Sequence, residues 1–230
     1  MIPLRDINPS RKKPYITVFL IFINIVVFIF ETILPRNLTE IVIKYYGFIP
    51  EELTKSIVYV AFTNAGINII TIFTSMFLHG SLTHLISNMW ALWLFGDNVE
   101  DRLGHFKFLI IYLLSGFIAA ITHYIFNINS PVVTIGASGA ISGVMGIYFI
   151  LYPFAKIRTV FLVLWLPFFI NIPAFIFIGV WFISQISNGL LTLLGPVYGF
   201  GIAWWAHIGG FLFGIYIGKK YKRKMYYIYY

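Results

Sequence analysis

The chain has 230 residues, of which 60% are hydrophobic and 10% charged, with 16 Lys and Arg against 8 Asp and Glu. Soluble domains contain roughly 25% charged residues, so this composition excludes an ordinary soluble domain and is typical of a polytopic membrane protein. The sequence contains no cysteine, which excludes disulfides, thiolate metal sites and cysteine nucleophiles. The basic residues form no aromatic-basic pattern for reading nucleic acid, so no nucleic-acid partner is expected.

Six apolar stretches of roughly the ~20 residues needed to span a bilayer predict an all-α membrane protein with six transmembrane helices. The first stretch lacks a small-residue cleavage site and is interpreted as a retained span rather than a signal peptide. The second is short and the fifth is long, which predicts that the fifth helix tilts or bends at Pro167 or Pro173. The predicted spans are 16–34, 81–96, 107–126, 136–152, 159–185 and 197–218.

The connection between the first two predicted spans, 35–76, is unusually long at roughly forty residues, since linkers between adjacent elements are mostly far shorter. It mixes charged residues with the amphipathic patches 41–48 and 57–62. Such patches are typical of short helices that lie in the plane of the membrane interface. We therefore predict a long external loop against the outer leaflet.

Lys and Arg residues lie before the first span, between the second and third, between the fourth and fifth, and after the sixth. Because cytoplasmic loops carry an excess of basic residues, these positions predict a multi-pass protein of the cell membrane with both termini in the cytoplasm. The predicted organisation is a cytoplasmic segment at 1–15, a membrane domain at 16–218 and a basic cytoplasmic tail at 219–230.

Two polar residues, Ser138 and His207, lie inside predicted spans, at the start of the fourth and near the middle of the sixth. Hydrogen-bonding and ionisable groups are expensive in hydrocarbon, so their presence at membrane depth indicates a functional site. In the predicted orientation both lie in the outer half of the bilayer, where a neutral histidine is suited to take the proton of a serine nucleophile. The helix N-terminus at Ser138 offers backbone N–H groups to an oxyanion.

Two further sets of residues are expected around this pair. At the outer end of the second span, His84 and Asn88 are four residues apart on one helical face, where their side chains are predicted to donate hydrogen bonds to an oxyanion. Small residues on the fourth and sixth spans allow the two helices to approach closely. These are Gly136, Gly139, Gly143 and Gly146 on the fourth span, and Gly209, Gly210, Gly214 and Gly218 on the sixth.

The residues that are absent narrow the chemistry further. No Asp or Glu follows Asp101, so the last four spans cannot supply the carboxylate of a Ser-His-Asp triad, and a Ser-His dyad is predicted. His79 and His84 lack the intervening Glu of a zinc-protease motif, so neither a metal nor another cofactor is expected. Taken singly, each residue also has a structural explanation, because a serine in a transmembrane helix usually bonds its own turn and glycine rows usually pack helices.

In these motifs the chain resembles the rhomboid family of intramembrane serine proteases, in the order His79 to Asn88, then Gly136-Ala137-Ser138-Gly139, then Ala206-His207-Ile208-Gly209-Gly210. The resemblance implies a Ser138 nucleophile and a His207 general base. It implies an oxyanion hole made by His84, Asn88 and the Ser138 backbone N–H. The residues expected to support the site structurally are His79, Gly136, Gly139, Gly209 and Gly210.

The sequence departs from the family pattern at two places. Many members carry a tyrosine four residues after the nucleophile, where its ring supports the histidine, whereas this chain has Ser142 there. Many bacterial members also carry a Trp-Arg pair in the long external loop, whereas this loop has no Trp and only Arg36. The packing beneath His207 and the anchoring of the loop are therefore expected to differ.

The predicted function is a serine endopeptidase that cuts peptide bonds in or next to the transmembrane helices of single-span membrane proteins. Besides such substrates the lipid bilayer is the expected partner, and nothing in the sequence sets an oligomeric state. The fifth span, with Pro167 and Pro173, is the candidate gate through which the substrate enters laterally.

One alternative function is that of an inactive relative that binds membrane helices, which predicts loss of Ser138 or His207. The other is a transporter, which predicts repeats or carboxylates deep in the spans.

Overall fold

The computed structural model describes residues 2–58, 62–194 and 201–226 of the chain. These residues form nine α-helices and three β-strands, together with a short 3-10 turn at Ser75–Phe77. The helices are α1 (Tyr15–Ile33), α2 (Arg36–Tyr46), α3 (Pro50–Val58), α4 (Phe62–Thr74), α5 (Leu82–Leu103), α6 (His105–Phe126), α7 (Ser138–Leu151), α8 (Ala174–Leu193) and α9 (Trp204–Tyr226). The strands are β1 (Ile2–Asp6), β2 (Lys156–Val163) and β3 (Leu166–Pro173).

The chain is a membrane protein with several helices suited to a bilayer. Within the described ranges, α1, α6 and α8 are long and apolar enough to cross a membrane. A fourth crossing can be assembled from Asn68–Phe77 and α5, which meet at a bend of 85°. The shorter apolar helix α7 and the helix α9 occupy the fourth and sixth predicted stretches, although 197–200 of the sixth lie outside the described residues. The predicted spans at 16–34 and 107–126 coincide with α1 and α6.

The predicted fifth helix is wrong over its first half. Residues 159–173 belong to an antiparallel hairpin of β2 and β3, and the helix starts only at Ala174. Pro167 lies within β3 and Pro173 immediately precedes α8, so neither proline bends a helix and the hinge expected there is excluded. The run of Val, Phe, Leu and Ile between these prolines suits a strand, but hydropathy alone cannot tell an apolar strand from an apolar helix.

The N-terminal strand joins this hairpin to the helical bundle. β1 pairs antiparallel with β2, giving a three-stranded sheet in the order β1-β2-β3. At the end of β1, the Asp6 carboxylate accepts hydrogen bonds from the Tyr148 hydroxyl at 2.7 Å and the Asn98 amide at 2.8 Å. The segment 1–15, expected as a plain cytoplasmic leader into the first span, therefore contributes a strand that is anchored to α5 and α7.

The long connection at 35–76 contains α2, α3 and α4, so the predicted patch at 41–48 is helical over most of its length. The second patch, 57–62, includes residues 59–61, which lie outside the described residues. The segment is tied to the bundle by a backbone bridge between Phe48 and Thr134 and by the Thr54 hydroxyl, which donates to the Ile128 carbonyl at 2.6 Å. These contacts hold the segment against the connection between α6 and α7.

The centre of the bundle is α7, whose residues 139–148 are all buried. Its neighbours are α9, α6 and α5. A methyl group at Gly210 would overlap the Gly139 carbonyl oxygen, and one at Gly214 would overlap the Gly143 carbonyl oxygen. The α7 and α9 backbones are therefore in direct contact, as the glycine rows predict.

The ionisation of Asp6 gives the base of the sheet a pH-dependent stability. Burial raises the pKa of Asp6 to about 6, with the Tyr148 hydrogen bond opposing the change and Asp97 adding to it. Because the folded state holds this proton more tightly than the unfolded chain, the wild-type protein loses stability as pH rises from about 4 to about 6. Asp6→Asn can keep both hydrogen bonds but does not ionise, so it is expected to remove this pH-dependent loss in the free energy of unfolding. The loss is expected to be about 1 kcal/mol, because Asp6 is only half-buried.

The measurement is the midpoint temperature of thermal unfolding in detergent. It is compared between Asp6→Asn and wild type at pH 4.5 and at pH 7. The variant should be relatively more stable at pH 7 than at pH 4.5. Glu40→Gln is the control, because the Glu40 side chain is 68% exposed and pairs only with Arg36 on its own helix. An identical pH dependence in Asp6→Asn and wild type would refute the assignment to Asp6.

Candidate active site

Ser138 and His207 are brought together although 69 residues separate them in the chain. The Ser138 hydroxyl oxygen lies 2.8 Å from His207 Nε2. Ser138 is the first residue of α7, and His207 lies in the first turn of α9. The close glycine contact between these helices, at Gly139 and Gly210, is one residue from Ser138 and three from His207. A serine and a neutral imidazole nitrogen at this distance can exchange a proton.

The other nitrogen of His207 has a partner that the sequence did not indicate. His207 Nδ1 lies 2.8 Å from Gln185 Oε1 on α8. Gln185 Nε2 donates to the Trp181 carbonyl at 2.9 Å and to the Ser184 hydroxyl at 2.8 Å, which assigns the amide oxygen to the histidine. An amide oxygen only accepts, so Nδ1 carries the proton and Nε2 is free to accept one from Ser138.

Gln185 is a neutral third member of the chain of hydrogen bonds, in the position where a carboxylate would complete a triad. Its side chain is buried, at 4% exposure. No Asp or Glu follows Asp101, so a carboxylate is not expected at this place, but a glutamine one helix away carries no distinguishing sequence pattern. It could have been suspected only as a polar residue in an otherwise apolar span.

The predicted oxyanion residues line the same cavity as Ser138 and His207. This cavity has a volume of about 780 Å³, and His84 and Asn88 face it from α5. Gly136 has a φ of +115°, and a methyl group there would lie 2.6 Å from His84 Cε1 and 3.5 Å from Asn88 Nδ2. A glycine is therefore required at position 136 both by its backbone conformation and by the approach of His84.

His79 contacts the predicted oxyanion residues directly rather than only holding the loop. Its Nε2 lies 3.0 Å from Asn88 Nδ2, and its ring packs edge-on against His84 with centroids 5.0 Å apart. The His79 backbone N–H donates to the Glu31 carboxylate of α1 at 3.2 Å. Because an amide nitrogen only donates, His79 Nε2 accepts from Asn88 and leaves the second amide hydrogen available to the cavity.

The remaining motif residues shape the contact between helices. Ser142, at the place where many family members have tyrosine, is buried and donates its hydroxyl to the Ser138 carbonyl at 2.7 Å. Aromatic neighbours of His207 come instead from Trp181 on α8 and Trp204 on α9, each with its nearest ring centroid 6.1 Å from the imidazole. At Gly209 a methyl group would overlap the Thr122 side chain of α6. Gly209 therefore packs α9 on α6, while Gly139 and Gly210 pack α7 on α9.

No cluster of three or more His, Asp or Glu side chains placed to hold a metal ion occurs among the described residues. The cavity is thus lined by the Ser138 hydroxyl, the His84 and His207 imidazoles and the Asn88 amide, with His79 and Gln185 behind them as hydrogen-bond partners of Asn88 and His207. A family model described as Rhomboid domain matches residues 67–224, which is more than half of the chain and includes every one of these groups. The chain belongs to the rhomboid family.

Three curated rhomboid relatives illustrate the similarity. RHOMBOID-like protein 6, mitochondrial, of Arabidopsis thaliana is 40% identical over 73 residues, or 32% of this chain and 23% of that protein. Presenilin-associated rhomboid-like protein A, mitochondrial, of Danio rerio is 31% identical over 153 residues, or 63% of this chain and 36% of that protein. YdcA of Bacillus subtilis (strain 168), named as a candidate rhomboid protease, is 40% identical over 77 residues, or 33% of this chain and 37% of that protein. The chain therefore spans only about a quarter to somewhat over a third of these relatives.

Proposed function

We propose that this rhomboid is an intramembrane serine endopeptidase. The observation that supports this most strongly is the 2.8 Å contact between the Ser138 hydroxyl and His207 Nε2, with Nδ1 held by Gln185 on the far side of the ring. A hydroxyl beside a correctly protonated imidazole is what nucleophilic acyl transfer requires. One relative, YdcA, bears a protease name, which is consistent with the proposal.

In the proposed first step, the Ser138 oxygen attacks the scissile carbonyl carbon while its proton passes to His207 Nε2. The carbonyl oxygen becomes an oxyanion, which accepts hydrogen bonds from the Ser138 backbone N–H, His84 and Asn88. The C–N bond breaks as Nε2 gives its proton to the leaving amine, and an acyl group remains on Ser138. A water molecule then loses a proton to His207, attacks the acyl carbon, and releases the acid while Ser138 recovers its proton.

The proposed substrates are single transmembrane helices that are cut near one end. The cavity joins apolar walls to polar groups, which suits an unwound segment of an otherwise apolar helix.

We propose six membrane crossings in a cell membrane, with the chain termini in the cytoplasm and the loop at 35–76 outside. The support is the placement of Lys and Arg residues. The membrane domain would then be 16–218, between a cytoplasmic segment at 1–15 and a basic tail at 219–230.

The sequence leaves two other functions open. A catalytically inactive relative that binds membrane helices would be expected to lack Ser138 or His207, whereas this chain has both in hydrogen-bond contact. A transporter would be expected to show internal repeats or carboxylates deep in its spans, whereas the sequence has no repeat, no Asp or Glu follows Asp101, and Glu31 lies near the end of α1. The protease is therefore the better supported proposal.

The deciding experiment combines cleavage with covalent labelling. Purified protein in liposomes is incubated with a single-span substrate and, separately, with a serine-reactive fluorophosphonate, and the labelled residue is mapped by mass spectrometry. A protease gives product bands and a label on Ser138. A protein that co-purifies with the substrate, leaves it intact and takes up no label would be the helix-binding relative instead.

The geometry of Gln185 predicts a role in positioning His207. Gln185→Met keeps the length of the side chain but removes the acceptor for Nδ1, so the imidazole loses its fixed tautomer. We expect kcat to fall by about 10²-fold with little change in KM, which is less than the ~10⁴-fold cost of replacing the carboxylate of a soluble triad. The measurement is the steady-state cleavage rate in liposomes over a range of substrate concentrations.

Gln185→Glu is the conservative variant, because it restores an acceptor oxygen at the same position and should recover most of the rate. Asn188→Leu is the matched control on α8, since Asn188 is only partly buried and its amide donates to the Ser184 carbonyl on its own helix. Equal kcat values for Gln185→Met and wild type would show that Nδ1 needs no partner.

A further inference from the structure

The hairpin of β2 and β3 presents the most exposed apolar surface of the described chain outside its helices. Its two turn residues, Leu164 and Trp165, are 89% and 91% exposed and have φ values of 50° and 67°. Such a two-residue turn normally contains glycine or asparagine, so large apolar residues here are held against their conformational preference. The apolar residues of the hairpin with at least half of their surface exposed are Leu162, Leu164, Trp165, Leu166, Phe168, Phe169 and Ile170.

The sheet runs along the helices rather than away from them. Trp90 of α5 donates its indole N–H to the Pro3 carbonyl at 2.6 Å, and Asn98 of α5 donates to Asp6 at 2.8 Å. β1 therefore follows α5 for about 12 Å, the rise of the eight residues from 90 to 98. β2 is antiparallel to β1, with Ile157 opposite Asp6 and Val160 opposite Ile2. Along α5, β2 therefore runs from the level of Asn98 to beyond the level of Trp90. The tip of the hairpin lies about 10 Å beyond Trp90 in the same direction.

The hairpin and the membrane-crossing helix α8 start from the same place. The backbone N–H of Ala174, the first residue of α8, donates at 2.8 Å to the carbonyl of Ala155, the residue immediately before β2. Phe175 N–H donates to the Pro153 carbonyl at 3.0 Å. The outer side of α8 also exposes apolar residues, including Ile176 and Val180. The apolar surface of the hairpin therefore begins where the exposed apolar surface of α8 begins.

Charge is confined to the base of the hairpin. Lys156 and Arg158 are the first and third residues of β2, and no Asp, Glu, Lys or Arg occurs from 159 to 218. The polarity thus falls from the base to the tip, as it does in segments that enter a bilayer from one face.

The free edge of β3 lacks an N–H donor at two of its four outward-facing positions. Val163 and Leu166 close the turn and pair with each other, so in the alternating pattern of an antiparallel ladder the outward-facing residues of β3 are 167, 169, 171 and 173. Two of these are Pro167 and Pro173, which have no N–H. An unpaired N–H in hydrocarbon is costly, and prolines also block the addition of another strand.

We propose that the β2–β3 hairpin is inserted into the acyl chains of the bilayer beside α5 and α8, with Lys156 and Arg158 at the membrane surface. The lipid supplies the apolar cover that the bundle does not give to Leu164, Trp165 and β3. A second copy of the chain is a poorer partner, because the two prolines interrupt the edge along which another strand would pair. This inference concerns the fold in the membrane and does not depend on proteolysis.

The chain has no cysteine, so single labelling sites can be introduced without background. Trp165→Cys at the tip and Lys156→Cys at the base are each labelled with an environment-sensitive fluorophore in protein reconstituted into phosphatidylcholine–phosphatidylglycerol vesicles. Quenching is then measured with doxyl-labelled lipids and with aqueous iodide. We expect the tip label to be quenched at least threefold more by doxyl lipids than the base label, and the base label to be the more sensitive to iodide.

Two results would overturn the proposal. A tip label that iodide quenches and doxyl lipids do not would place the hairpin in water, and a tip label protected from both would indicate a protein cover such as a second copy. Phe168→Cys on β3 repeats the measurement without altering the turn. Circular dichroism and the thermal midpoint verify that each labelled variant is folded.

Discussion

Ser138→Ala is expected to lower the rate of substrate cleavage by about 10⁴-fold or more, to the level set by binding and the oxyanion donors alone. The reason is geometric, because the 2.8 Å contact gives His207 only this hydroxyl to deprotonate. In a soluble serine protease, loss of the nucleophilic serine costs about 10⁶-fold in kcat. Initial cleavage rates of a single-span substrate in liposomes, over a tenfold range of enzyme concentration, measure it.

His207→Ala is expected to cost about as much as Ser138→Ala, and the double variant no more than either one. Groups that act as one unit lose their joint contribution when either is removed, so their effects do not add. Independent contributions would instead multiply the two losses. This comparison separates a Ser–His unit from two polar residues that merely stabilise the same cavity.

Ser142→Ala provides the matched control, since Ser142 is a buried serine one turn farther along α7 whose hydroxyl donates to the Ser138 carbonyl. Its removal takes away a hydrogen bond within the helix, worth about 1 kcal/mol, and should leave cleavage within about threefold of wild type. Comparable losses in Ser142→Ala and Ser138→Ala would mean that the α7 structure, rather than the Ser138 nucleophile, limits the rate.

The sequence suffices to predict the parts of the site that belong to apolar helices. A polar residue such as His207 stands out against an apolar span, and Gly210 and Gly139 indicate where two helices meet. The positions of α1 and α6 follow from hydropathy because their length matches a bilayer. These features are local in the sequence or follow a fixed helical period.

The features that sequence reasoning missed depend on contacts between distant elements. Gln185 meets His207 only because α8 packs on α9, and nothing near Gln185 in the sequence signals a histidine 22 residues later. Trp181 similarly supplies His207 with an aromatic neighbour, which many family members place at the position that Ser142 occupies here. The β2–β3 hairpin was missed because its residues are as apolar as a helix, and its pairing with Ile2–Asp6 joins parts of the chain more than 150 residues apart.

Gly210→Ala is expected to disrupt the bundle through a single added methyl group. That methyl would overlap the Gly139 carbonyl oxygen, and backbone cannot move aside as the end of a flexible side chain can. Overpacking of this kind costs about 1–3 kcal/mol, which corresponds to a fall in thermal midpoint of about 3–10 °C in a protein of this size. Because Gly139 adjoins Ser138, a shift of the backbone also separates the hydroxyl from His207, so cleavage should fall by about 10²-fold.

Gly179→Ala is the matched comparison for this loss. Gly179 is a helical glycine of α8 at which an added methyl group would have no atom within 4 Å beyond the adjacent residues and the backbone of its own helix. Since alanine favours a helix over glycine by about 0.5–1 kcal/mol, its thermal midpoint should stay level or rise slightly, and its cleavage rate should be unchanged. If Gly210→Ala behaved in the same way, the α7 and α9 backbones would be free to separate without loss. The alignment of Ser138 with His207 would then have to come from the Gln185 side-chain contact with His207 rather than from the glycine interface.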